Sequence, residues 1–132
     1  MIIKNNIMPK DEDVLKLYED VKWHAYTKDP TTLMKAIENS LKVWTVWEKE
    51  TLIALARVVG DGHTIIYIQD ILVLEEFQNK GLGSKLLKII LDEYQSVRQI
   101  LLLTDNTEKS KQFYKKNGLV SVDTYDAVAF MK

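Results

Sequence analysis

The chain contains no cysteine. Disulfides, thiolate metal sites and cysteine nucleophiles are therefore excluded, and the composition fits a reducing compartment. Proline is scarce, at 2 of 132 residues, and glycine little less so, at 5. No Pro/Gly-rich linker, low-complexity tract or internal repeat divides the chain, which predicts a single domain over residues 1–132. Charge of either sign is not in excess. The net value is −1, so no general attraction to nucleic acid or to an anionic membrane is expected. No apolar run approaches the roughly 18 residues of a membrane span. The opening "MIIKNNIMPKDED" lacks the apolar core of a signal peptide. A soluble cytoplasmic protein without a metal centre is the expectation.

What remains is an ordinary globular balance, 46% hydrophobic and 28% charged, long enough to bury a substantial core. "MIIKNN" reads as a first strand. From Pro9 to about Val21, the residues Val14, Leu15, Tyr18 and Val21 recur at helical spacing. "WHAYTKDP" is a turn-rich break with three aromatic rings, and a second helix follows from about Thr31, with Leu33, Ile37 and Leu41 on one stripe. "VWTVWEK", "LIALARVVGDG" and "TIIYIQDILVL" are β-rich runs separated by turn segments, the pattern of an antiparallel meander. A helix over about Gly81–Tyr94 buries Leu82, Leu86, Ile89, Ile90 and Tyr94. "ILLLT" (Ile100–Thr104) reads as a strand buried on both faces, and a helix from about Thr107 to Lys116 closes at Gly118. "LVSVDTY" and "AVAFMK" read as a final hairpin. The predicted order is β-α-α-β-β-β-α-β-α-β-β, with one parallel right-handed crossover. The fold class is mixed α/β, a mostly antiparallel twisted sheet with helices on both faces.

Two of the five glycines, Gly81 and Gly83, stand where the central helix should begin, although glycine in a helix costs about 0.5–1 kcal/mol relative to alanine. Helix N-termini leave backbone N–H groups unpaired and carry about half a positive charge, which suits an anion. Glycine lets that anion approach the backbone, and Lys80 and Lys85 add charge beside the turn. Residues Asn79–Ser84 are thus able to wrap a pyrophosphate, although a glycine pair before a helix also serves plain turn chemistry. A dinucleotide fingerprint fails because Leu86 stands where the third glycine is needed, and no G-x-x-x-x-G-K-[ST] occurs.

"QNKGLG" (Gln78–Gly83) matches the Q/R-x-x-G-x-G/A signature of the GCN5-related N-acetyltransferase superfamily, which this chain resembles. "DILV" before it is similar to that family's fourth strand, the following helix to its third, and "FYKKNGL" (Phe113–Leu119) to its F-Y-x-x-x-G-F/L segment. The resemblance implies acetyl-CoA as co-substrate, its pyrophosphate held by Gln78, Asn79, Lys80, Gly81, Leu82, Gly83 and Ser84. It implies that pantetheine pairs with the backbone of Ile71, Leu72 and Val73, the Val73 amide polarising the thioester carbonyl. It implies that Tyr114 protonates the leaving thiolate, which a phenol of pKa near 10 is able to do. Around the strand that precedes the signature stand Tyr67, Gln69 and Asp70. Asp70 is the one carboxylate among them, a candidate general base and equally a structural acceptor that fixes a strand bulge. His24 is a second candidate base, or packing.

Two positions depart from the family pattern: Glu75 stands where proline is frequent, and Thr107 where an asparagine usually contacts pantetheine, leaving Asn106 one residue off register as the candidate contact. The resemblance places the amine acceptor, a small molecule or a peptide, against the first two helices and the last strands. Trp23, Tyr26, Trp44 and Tyr125 are candidate lining residues, and Asp29, Asp123 and Asp126 candidate amine attractors; core packing and plain solvation are the alternatives. Homodimers are common in families like this. The reaction implied is acetyl transfer by direct attack, as befits a chain without a thiol; the alternative is a non-catalytic acyl-CoA-binding regulatory module.

Overall fold

Valine, isoleucine and aromatic residues dominate three successive runs in the middle of the chain, and these form the centre of the sheet. The computed structural model describes residues 1–132. Strands β1 (Ile2–Asn5), β2 (Lys42–Glu48), β3 (Thr51–Gly60), β4 (Ile65–Val73) and β5 (Gln99–Leu101) lie in the order β1-β2-β3-β4-β5. The first four are antiparallel neighbours, and β5 runs parallel to β4. Helices α1 (Asp11–Asp20), α2 (His24–Thr27) and α3 (Pro30–Glu38) join β1 to β2, α4 (Leu82–Glu93) crosses from β4 to β5, and α5 (Glu108–Lys116) follows. The expected mixed, mostly antiparallel α/β class is what forms. Two compact units divide the chain, Met1–Leu102 with the sheet and α1 to α4, and Leu103–Lys132 with α5.

The β3–β4 hairpin is closed by Gly60 and Asp61. At φ +133 in Gly60, an added Cβ would lie 2.5 Å from the Ile65 carbonyl oxygen, so no other residue fits. The Asp61 carboxylate accepts from the backbone N–H groups of His63, Thr64 and Ile65 and from the Thr64 hydroxyl. These donors hold its pKa well below the usual carboxylate range, the Thr64 hydroxyl foremost.

A second irregularity sets the layers. Arg57 pairs with Asp70 and Val58 with Ile68, so Gln69 is the extra residue of a β-bulge. Neighbours on a regular strand point to opposite faces, and cross-strand partners share one. The bulge therefore moves the even positions of β4 from the Val58 face (Ile66, Ile68) to the Arg57 face (Asp70, Leu72). Both sets are buried, because both faces carry helices. Tyr18 of α1 lies against Asp70 on one face, while on the other Trp44 meets Tyr94, just past the end of α4, edge-on at 6.3 Å. Val14, Leu17, Leu33, Ile37, Leu55, Leu86, Leu87 and Ile90 are among the side chains sealed in these two layers.

Three expectations are corrected. The "WHAYTKDP" break contains a short helix, α2. Strand β5 is shorter than Ile100–Thr104 and its apolar side chains are half-buried, because it is an edge strand rather than an interior one. The final hairpin does not form. Its first half curls into a 3-10 turn at Val122–Tyr125, with Asp126 left-handed at φ 56. Thr124 donates its N–H to the Ser121 carbonyl (3.0 Å) and Asp126 to that of Asp123 (3.1 Å), turn bonds that short polar residues favour over a ladder. Helix α5 ends as expected at Gly118 (φ 91): Gly118 N–H reaches the Lys115 carbonyl at 3.1 Å and Leu119 N–H that of Tyr114 at 3.0 Å, a Schellman motif.

Candidate active site

Strand β4 has one side paired and one side open. Against β3 it pairs through Val73, but against β5 only from Ile65 to Tyr67. Beyond Tyr67, immediately before the bulge, its second edge meets no strand. The Leu74 N–H donates to the Ile53 carbonyl of β3 at 2.8 Å. Alternation along an antiparallel strand then turns the N–H and C=O groups of Ile71 and Val73 toward the open edge. The Leu72 side chain is core, and only its neighbours' backbone groups face the gap.

The chain leaves that edge through a turn bound at both ends, to α1 and back to β4. Glu75 donates its N–H to the Asp20 carboxylate (2.7 Å), and the Gln78 side-chain amide donates to the Val73 carbonyl (2.9 Å). Glu75 thus stands in a turn tethered without proline. Asn79 (φ 62) and Gly81 (φ 83) are both left-handed, a conformation asparagine tolerates and glycine adopts freely. A Cβ on Gly81 would meet nothing within 4 Å, so glycine is required there by φ, and the space above it is open.

Gly81 is the N-cap of α4, and no side chain caps this helix. The first bond from an N–H to the carbonyl four residues back runs from Lys85 to Gly81 (3.0 Å), so the amides of Leu82 and Gly83 precede the hydrogen-bonded ladder. By contrast, Asp29 caps α3 and Thr107 caps α5. Lys80 and Lys85 are exposed beside the turn, Lys80 lying 5.5 Å from the centre of the Phe77 ring. The arrangement is a row of amides at the positive end of a helix with no side chain filling it, a setting for a multiply charged anion.

Asp70 occupies a different setting. It is only 2% exposed and meets the Nε of Arg57, itself 4% exposed, at 2.6 Å. Tyr18 donates its hydroxyl to the same oxygen (2.8 Å), and Tyr26 donates to the other (2.9 Å). Gln69 donates its side-chain amide to the Tyr26 hydroxyl at 2.8 Å. Arg57 continues through Nη1 to the Ala36 carbonyl (3.4 Å) and the Ser40 hydroxyl (3.3 Å) of the α3 end. Burial, and then the Asp70 charge, push both tyrosines above their ordinary pKa, Tyr18 the further. Burial opposes the Arg57 charge, but Asp70, Tyr18 and Tyr26 together outweigh it and the guanidinium is held more firmly protonated than usual. With three donors on it, this carboxylate is bonded as a structural acceptor of the bulge.

On the expected acceptor side, Trp23 and Tyr26 are half-buried, their ring centroids 5.9 and 5.3 Å from that of Tyr18 and 6.2 Å from each other. Trp44 is 1% exposed and belongs to the core, so it lines no pocket. Asp29 is committed to capping α3, its pKa lowered chiefly by the Thr32 hydroxyl. His24 is exposed and faces Glu19 at 3.2 Å. In the second unit, Tyr114 is half-buried on α5 with the Phe113 ring edge-on at 5.0 Å, Asn106 is exposed just before that helix, Tyr125 is exposed, and Asp123 and Asp126 shape the 3-10 turn. No group of three or more His, Asp or Glu side chains is arranged to hold a metal, and no helix is long and apolar enough to cross a membrane. Sequence reasoning missed Tyr18, Arg57 and Gln69 as a set.

Residues 11–119 match the model of the acetyltransferase (GNAT) family. A solved GNAT-family acetyltransferase of Streptococcus pneumoniae TIGR4 superposes with a TM-score of 0.87 at 34% identity, over 99% of this chain and 96% of that one. An aminoglycoside N-acetyltransferase solved with CoA shares the fold, with a TM-score of 0.74 at 14% identity, over 99% of this chain and 93% of the other. An uncharacterised N-acetyltransferase of Gracilaria tenuistipitata var. liui is 29% identical over 116 residues, 83% of this chain. The chain spans 61% of that curated relative's length.

Proposed function

We propose, on the premise that this chain belongs to the acetyltransferase (GNAT) family, that it moves an acetyl group from acetyl-CoA to a primary amine of a small molecule or peptide. The observation that carries the reading is the continuous backbone surface from the open edge of β4 to the uncapped start of α4. Amides from Asn79 to Ser84, with Lys80 and Lys85, would hold a diphosphate. Ile71 and Val73 would pair with the amide-bearing arm of the donor along the open edge, and Leu72 would keep that edge rigid from below.

The Val73 N–H would donate to the thioester carbonyl and stabilise the oxyanion that forms as the amine attacks. Collapse breaks the carbon–sulfur bond, the attacking nitrogen gives up its proton to solvent, and Tyr114, assigned from its place in the "FYKKNGL" segment, would give its proton to the departing thiolate and regain one from solvent. Asp70 is assigned to positioning, because its acceptor capacity is taken by Arg57, Tyr18 and Tyr26. Asn106 is assigned to the donor arm, and Trp23 and Tyr26 to the acceptor side. We read residues 1–132 as one catalytic domain in the cytoplasm, the latter supported by the absence of cysteine.

The test is an amine panel scanned by mass spectrometry with acetyl-CoA as donor. Acetylated product with at least one amine supports the reading. Binding of acetyl-CoA without transfer to any amine would instead favour a regulatory module.

A further inference from the structure

We propose that the Arg57–Asp70 pair, with the hydroxyls of Tyr18 and Tyr26, is a register lock that holds the Gln69 bulge and so aims β4 at its donor. What the register serves rests on the function proposed above; that the register is held this way does not. The argument begins with the alternation of a strand. A slip of one residue exchanges its two faces and its two hydrogen-bonding edges. Only with Gln69 extruded do Asp70 and Leu72 share the Arg57 face, and only then do Ile71 and Val73 turn their amides to the open edge.

Apolar packing specifies this weakly. Ile66, Ile68, Leu72 and Val73 are buried to similar extents on both faces, so either register buries aliphatic side chains. The polar cluster discriminates. Asp70 on the opposite face would lose its ion pair and both tyrosine donors, leaving an uncompensated buried charge. One carboxylate thereby gathers α1 through Tyr18, α2 through Tyr26, β3 through Arg57 and, by way of Arg57, the end of α3. Gln69 completes the device. The bulged residue is exposed, yet its side-chain amide reaches the Tyr26 hydroxyl at 2.8 Å, tying the Trp23–Tyr26 aromatic segment to the irregularity itself. Asp70, Tyr26 and Gln69 are accordingly positioning residues.

The decisive variant replaces the lock with apolar groups, Arg57→Met with Asp70→Leu and Tyr18→Phe. Apolar replacement of a buried ion pair is often neutral or stabilising, so the variant is expected to melt near the wild type. A merely structural cluster would then leave nothing else changed. The lock predicts amide hydrogen exchange about tenfold faster at Leu72 and Leu74, and acetyl-CoA binding about tenfold weaker. If this variant fails to fold, Tyr26→Phe carries the test, with faster exchange at the same two amides and none in the control Thr32→Ala. Unchanged exchange at Leu72 and Leu74 in the folded variant overturns the lock. Should the wild type fail to bind acetyl-CoA, the function reading falls while the exchange result still decides the lock.

Discussion

The two ends of β4 are built on opposite principles. The Asp70 carboxylate is held wholly by side chains, the Arg57 guanidinium and the Tyr18 and Tyr26 hydroxyls, and Asp70, Arg57 and Tyr18 are buried. From Val73 to Gly83 the polar groups are mostly backbone, and the helix they lead into has no side-chain cap. The first end spends its hydrogen bonds on holding a shape; the second leaves donors facing outward. One strand thus carries a rigid reference point a few residues from a receptive surface, which is what precise placement of a ligand requires.

If that division is real, damage at the two ends should differ in kind. Arg57→Ala should show the largest loss of stability, about 3–5 kcal/mol by denaturant titration, because it strands a buried carboxylate. A loss below about 1 kcal/mol would mean Asp70 is not held as described. Tyr114→Phe should do the reverse. Transfer should fall about a hundredfold or more, with the melting temperature and acetyl-CoA affinity nearly unchanged. Gly81→Val sits between these, costing about 1–2 kcal/mol for the left-handed backbone and abolishing stabilisation by acetyl-CoA. Removing the tether with Gln78→Ala should cost about 1 kcal/mol and loosen the turn without unfolding the sheet.

A pH titration sharpens the same contrast. Tyr18 and Tyr26 have raised pKa values in the folded state, so they remain protonated when the unfolded chain's tyrosines ionise near pH 10. The unfolded state then binds fewer protons than the native one, and stability falls as pH rises above about 10. Tyr18→Phe should flatten that decline. Glycine variants of the turn should leave it unchanged.

Legibility in the sequence follows the same divide. Gly81, Gly83 and Gln78 announce themselves because a backbone-built site needs particular residues at fixed local spacing. Four of the five helices and the three central strands were equally readable from periodicity, as was Gly118 at the end of α5, whereas the four-residue α2 was not. The cluster at Asp70 was not, since its partners lie 52, 44 and 13 residues away and only the folded sheet brings them together. Asp70 itself was visible as one of two alternatives, and the bonding to Arg57 favours the structural one. Trp44 and Asp29 look like pocket residues on paper; tertiary burial claims the first, and a cap needed by the helix that starts at Pro30 claims the second. The closing hairpin failed because alternating apolar residues near the end of the chain were outweighed by the local turn bonds of Asp123, Thr124 and Asp126.

The central claim is that the start of α4 and the open edge of β4 hold acetyl-CoA. Thermal unfolding of the wild type and of Gly81→Val, each with and without acetyl-CoA, tests it most directly. At about a hundredfold excess over Kd the wild type should gain about 2.7 kcal/mol and melt several degrees higher, while Gly81→Val should gain nothing. A wild type indifferent to millimolar acetyl-CoA, or a variant stabilised as much as the wild type, would contradict the account.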